Sequence, residues 1–336
     1  MNGKIVKILK ILKILTWAIA VAIAVAALPG MPAATADEYS SKPIRIIVPF
    51  AASGGGDIVV RLVAQKLSER FGYRMVVENR SGAGGNIGTA AVASAPADGY
   101  TLLMANVAPM AINVSLDKNL PYDPAKAFAP ITLLASFPNV LVVHPSLPAH
   151  SLRDLIALAR ADPGRLTFAS AGSGSTTHLA AELLKSAAGL DLVHVPYRGG
   201  GPALVGMLAG DVTLYFASLP AALPYIKSGQ LRGLAVTSLK RWEATQDIPT
   251  VAELGFPGFE AVTWIGVVAP AGTPEPIVRK LNASFTEIMR DGEIADRLRT
   301  LGAEPLTSTP EEFAAYIKSE IAKWAKVVRN AGLFQE

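Results

Sequence analysis

There is no cysteine anywhere in these 336 residues, and only four histidines occur: His144, His150, His178 and His194. A chain without thiols forms neither disulfides nor thiolate-ligated metal centres, so its stability must come from its core. The histidines fall in no close pair of the kind that grips a metal, and no metal or cofactor is expected. Charge is scarce too, at 17% of the composition, and no acidic residue precedes Asp37.

That last absence marks out a segment. Lys4, Lys7, Lys10 and Lys13 precede an apolar run from Ile14 to Leu28, which is followed by Pro29 and by Ala34-Thr35-Ala36. A basic head, a short apolar core and a small-residue site describe a signal peptide over residues 1–36, cut before Asp37. The competing reading is an uncleaved anchor, for which the apolar run is short. Setting the four lysines aside leaves 27 basic residues against 27 acidic ones, so the nominal net charge of +4 gives no argument for nucleic acid. Export would place the mature chain in the periplasm, and no later uncharged run approaches the length of a membrane span.

Two further signatures are missing. "SGAGGNIGTA" spaces its glycines G-x-G-x-x-x-G, one residue longer than the dinucleotide fingerprint, and Gly56 is followed by Asp57 and Ile58 where a Walker loop needs Lys and Ser or Thr. Gly172-Ser173-Gly174-Ser175 does not supply the G-x-S-x-G of a nucleophile elbow. A secreted hydrolase built on Ser175 and His178 remains a distant alternative.

What is present is alternation. Short β-branched runs at 44–48, 75–78, 101–104, 131–134, 140–143, 166–169, 192–195, 212–216, 234–237 and 261–269 read as strands. Helical patterns at 58–71, 86–93, 151–160 and 203–208 separate several of them, which predicts an α/β fold built from parallel β-α-β units. Pro202 fits the first position of the helix that follows Arg198-Gly199-Gly200-Gly201. Beyond residue 270 the pattern is helical, ending in a helix opened by Thr309-Pro310-Glu311-Glu312, with Phe313, Tyr316, Ile317, Ile321, Trp324 and Val328 on one face as core.

Two strand-to-helix loops carry the functional argument: "VPFAASGGGDI" and "ASAGSGSTTH". Each should offer backbone N–H groups and the positive end of a helix dipole at the carboxyl edge of a sheet, and that combination suits an anion. Glycine lets a ligand approach the backbone closely, and Ser53, Ser173, Ser175 and Thr176 add hydroxyl donors.

The chain as a whole resembles the extracytoplasmic solute-binding proteins of the tripartite tricarboxylate transporter group, also called the Bug family. The likeness runs through "KPIRIIVPFAASGGGDIVVR", "VVENRSGAGGNIGTAAVASAPADGYTLLMA", "LPYDPAKAFAPITLLASFPNVLVVHPS", "HVPYRGGGPALVGMLAGDVTLYFASLPAALPYIKSGQLRGLAVTS" and "VAPAGTPEPIV". It implies a two-lobed type II periplasmic-binding-protein fold with a ligand cleft between the lobes. Residues 37–138 would form the first lobe, 139–260 the second, and 261–336 would return to the first. The expected function is capture of a small mono- or dicarboxylate by a monomer, for delivery to large and small integral-membrane transporter subunits, without catalysis. A solute sensor is the alternative within the binding class.

The resemblance also implies the ligand set. Phe50, Ala52, Ser53, Gly54, Gly55, Gly56 and Asp57 would grip from one lobe, and Ser170, Ala171, Gly172, Ser173, Gly174, Ser175, Thr176 and His178 from the other, partly through waters. Asn106, Ala217 and Ser218 complete it. Two departures from the family pattern bear on the ligand. Ala108, Pro109 and Met110 stand where a Gly-Thr-His-like run is common, and Ala217-Ser218 where a polar pair such as Asp-Asn is common. Both predict a pocket more apolar than usual, suited to a carboxylate with an apolar or aromatic body.

Overall fold

The computed structural model describes residues 42–332; the expected signal peptide lies outside the described residues. Ten strands are joined by one shared element. The first sheet has the order β2 (Met75–Asn79), β1 (Ile44–Val48), β3 (Thr101–Asn106), β9 (Val262–Pro270), β4 (Phe128–Val143), with the two-residue β10 (Glu304–Pro305) also on β4. In the second sheet β4 is followed by β7 (Leu214–Ser218), β5 (Thr167–Ser170) and β6 (Val193–Pro196), while β8 (Arg232–Val236) pairs β4 as well.

The expected parallel units exist as two triplets, β2-β1-β3 and β7-β5-β6. Every pairing of β4 and β9 is antiparallel, so each sheet is mixed. The sequence reads β4 as two strands because Pro138 and Asn139 interrupt its apolar run. The structure keeps one 16-residue strand that changes partners there: Phe128–Pro138 pair with β9, and Asn139–Val143 with β7 and β8. Asn139 is fully buried; its Nδ2 donates to Ala261 O (3.1 Å) and its backbone N–H to Thr237 Oγ1 (2.9 Å). Past this point Val140 and Val142 pack on one face of the second sheet and Leu141 and Val143 on the other, as the strand period requires.

Helices α1 (Gly55–Phe71) and α2 (Asn86–Ala93) cover the first sheet, followed by a short π turn and α3 (Asn113–Leu116). The second sheet carries α4 (Leu152–Ala161), α5 (Thr176–Ala188), α6 (Gly200–Ala209) and α7 (Leu219–Lys227). Helix α6 begins at Gly200, so Pro202 is its third residue and not its first. Helix α7 has no counterpart in the sequence reading, because Pro220 and Pro224 argue against one; Pro220 lies in the first turn, where no intrahelical bond is lost, and Leu219, Ala222 and Leu223 bury its apolar side.

After α8 (Glu275–Arg290) and α9 (Gly292–Thr300), the chain closes with α10 (Pro310–Asn330), which opens where the sequence predicts and is held by a capping box of Thr309 and Glu312. Phe313, Ile317, Trp324 and Val328 bury against the first sheet together with Trp264. Among the described residues no helix is long and apolar enough to cross a membrane.

Candidate functional site

Four helix starts converge: α1 after β1, α5 after β5, α6 after β6 and α7 after β7. Each follows the carboxyl end of a strand, where ligands gather in open α/β sheets. They enclose a small cavity of about 50 Å3, with Val48, Phe50, Met104 and Phe137 as its apolar walls.

The first loop lacks a side-chain cap. Gly54 is the N-cap of α1 and, having no side chain, accepts nothing from the N–H groups of the first turn, so that turn relies on other groups. Ser218 supplies one, its Oγ accepting from Gly55 N–H at 3.1 Å. Glycine is required at residue 55 by proximity and not by backbone angle: a Cβ there would stand 2.8 Å from Ser218 Oγ and 3.2 Å from Phe137. Ala51 N–H donates to Arg198 O (3.3 Å), a second bond to the other sheet's loops; the Arg198 side chain itself is exposed.

Asp57 is 4% exposed and fully engaged. Its Oδ2 accepts from Ser53 N–H and Arg61 Nε, both at 3.0 Å, and its Oδ1 from Asn79 Nδ2 at 2.9 Å. Asn79 Nδ2 also donates to Phe50 O (3.0 Å). The carboxylate thus fixes the loop from behind while its charge is met by Arg61. Ser53 is held at φ +66°, a left-handed conformation uncommon for serine.

The second loop satisfies itself. Ser175 caps α5, accepting from His178 N–H (3.3 Å), and donates to Gly172 O (2.6 Å). Since its one proton is spent there, the 2.9 Å bond with Thr177 must be donated by Thr177. Ala171 N–H goes to Thr177 Oγ1, Gly172 N–H to Ser170 Oγ and Gly174 N–H to His178 Nδ1. Ser170 pairs in turn with His194 Nε2 at 2.6 Å. His178 and His194 stack at 4.2 Å beside Phe168, and burial lowers both to a pKa of about 4, so both rings are neutral at neutral pH.

This arrangement offers no Ser–His nucleophile: the Ser175 proton points to a backbone carbonyl, and the imidazole accepts from a backbone amide.

Of the residues singled out in the sequence, Phe50, Gly54, Gly55, Gly56, Asp57, Asn106, Ala171, Ser175, Thr176 and Ser218 line the cavity. Ala52 and Ser53 turn outward to an apolar surface groove. Ser173, Gly174 and His178 face a separate cavity beside Asn86 and Asn113. Ser170 and Gly172 belong to the loop's internal bonding, and Ala217 sits in the core of the second sheet.

Ala108, Pro109 and Met110 do not make the pocket apolar. All three are buried in the core behind it, and the apolar walls come instead from Met104 and Phe137, with Gly56 close against Met104 Sδ. Thr263, whose hydroxyl pairs with Thr176 across the sheets at 2.8 Å, and Tyr215 also line the cavity unforeseen. They lie in strands that read as core, and nothing in their local pattern separates them from it.

A family model described as the tripartite tricarboxylate transporter family receptor matches residues 59–333. The chain belongs to this family of solute receptors, the Bug proteins. BugT of Bordetella pertussis is 40% identical over 299 residues, 89% of this chain and 92% of its own. Among solved structures, the periplasmic binding protein BugD is 36% identical, with a TM-score of 0.85 over 88% of this chain and 100% of that one. R. palustris Rpa4515, solved with adipate, is 40% identical with a TM-score of 0.85, covering 88% and 99%. MatC of Rhodopseudomonas palustris, with bound malate, is 32% identical with a TM-score of 0.82, covering 86% and 100%. The fold is the two-lobed periplasmic-binding-protein fold of these relatives, and the family is one of receptors and not of enzymes.

Proposed function

We propose that this protein is a periplasmic receptor that closes residues 37–138 and 261–336 against residues 139–260 around a small carboxylate. It would act as a monomer and pass the solute to the integral-membrane subunits of a tripartite transporter. One observation carries the reading: the start of α1, which has no side-chain cap of its own, opens into a buried cavity whose lining includes no Lys, Arg or His and whose one carboxylate, Asp57, is already paired with Arg61. An anion held there would be met by first-turn amides such as those of Gly56 and Asp57 and by the helix dipole. That two relatives were solved with adipate and malate supports the same chemistry.

The walls narrow the ligand class. Val48, Phe50, Met104 and Phe137 would leave extra charged groups unpaired, which is costly in a buried site. We therefore assign a mono- or dicarboxylate with an apolar or aromatic body. Isothermal titration with adipate, malate, benzoate, citrate and aspartate tests it. Binding of adipate or benzoate ahead of citrate and aspartate is expected; tight citrate binding would overturn the assignment.

A further inference from the structure

Tyr215 is 1% exposed, and its hydroxyl has no hydrogen-bond partner in the protein. Among the described residues four other buried side-chain oxygens, those of Thr89, Asn139, Thr245 and Thr286, share that state, yet Tyr215 alone of the five lines the cavity. A buried hydroxyl without a partner is costly, so its retention in a ligand cavity calls for a compensating role.

The hydroxyls around it are engaged elsewhere: Ser175 donates to Gly172 O, and Thr177 donates to Ser175 and accepts from Ala171 N–H, so that Thr177 Oγ1 keeps one free lone pair but makes no bond to the phenol. Helix α6 begins at Gly200, and a Cβ there would stand 3.5 Å from the Tyr215 oxygen, so glycine leaves that side of the phenol uncovered. Burial pushes the phenol well above its ordinary pKa, with the neighbouring Thr177 hydroxyl opposing the rise, and the group remains a donor throughout the physiological range.

We infer that the Tyr215 hydroxyl donates directly to a ligand oxygen, and that this bond makes the pocket select a carboxylate over an uncharged solute of the same shape. The inference rests on the carboxylate reading above. It carries an unusual pair of signs. Replacing Tyr215 by Phe removes an unsatisfied polar group from the ligand-free protein and a charge-assisted bond from the complex, so stability and affinity should move in opposite directions.

The test titrates adipate, malate and benzoate into the wild-type protein and into Tyr215→Phe, and measures both melting temperatures without acid. The expected result is an affinity lower by about ten- to a hundredfold, the span of a hydrogen bond to a charged group, with a melting temperature equal to or above wild type. Gly200→Ala, which covers the phenol, should weaken binding as well, and combining the two substitutions should cost less than the product of their separate losses.

An unchanged affinity in Tyr215→Phe, the outcome if a resident water satisfies the phenol, overturns the inference while leaving the carboxylate reading intact. A lowered melting temperature also overturns it, by showing a structural role for the hydroxyl. Failure of the wild-type protein to bind any of the three acids overturns the carboxylate reading and the inference with it.

Discussion

The two loops that face each other across the cavity are built on opposite plans. Residues 50–57 have glycines where a cap would be, and they borrow partners from the other sheet: Ser218 for Gly55 and the Arg198 carbonyl for Ala51. Residues 170–178 carry hydroxyls and imidazole: the amides of Ala171, Gly172, Gly174, Ser175 and His178 are answered from within the loop, and the Ser170 hydroxyl is paired with His194 on the adjoining strand. A helix end that caps itself is stable but has little left to offer. One that leaves its donors to the other half of the molecule can exchange them for a ligand. Replacing a glycine of the first loop should therefore appear in binding, and removing the cap of the second in stability.

The sharpest way to break the contrast is Gly55→Val. Its side chain would collide with Ser218 and Phe137, and affinity for any acid the wild-type protein binds should fall by at least about a hundredfold, equivalent to ~2.7 kcal/mol, in a protein that still melts cooperatively. Asp57→Ala comes next. It frees Ser53 N–H, Arg61 and Asn79 at once and should cost about 2–3 kcal/mol in chemical denaturation, with weaker binding because the loop is no longer held. Ser175→Ala removes the cap of α5 and should cost about 1 kcal/mol, with much less effect on affinity than Gly55→Val.

Acid provides a separate probe of the second loop. His178 and His194 titrate near 4 in the fold against an ordinary value of 6.5, so the unfolded chain takes up protons that the folded one refuses. Their contribution is intact above pH 6.5 and is lost as the pH falls toward 4. The melting temperature should drop across that window, and His194→Gln, which keeps a partner for Ser170, should flatten the drop.

The same contrast explains what could be read in advance. Glycine, serine and proline punctuate a chain because their backbone and hydrogen-bonding demands are local, and so both loops and the helix start at Thr309 are visible in the sequence. Residues whose role depends on the opposite sheet are not. Tyr215, Met104 and Phe137 sit in strands where an apolar residue means core, and only the meeting of distant segments turns them into walls. Ala108 to Met110 show the converse error, since a segment just after a strand end was credited with a pocket that it does not reach. In β4 and α7 proline misled, because the tertiary setting tolerated it.

The partner exchange in β4 at Pro138 and Asn139 has a consequence for the order of assembly. Asn139 and Ala261, bonded to each other, are 122 residues apart, and every strand of the second sheet beyond β4 lies between them. Closing a loop of that length costs chain entropy that local contacts do not repay. During synthesis β1, β2 and β3 emerge first, but the strand that joins them to β4 is β9, which follows the whole intervening segment. The sheet that carries the glycine loop is begun first and finished last, and its central seam waits until the second sheet has been made.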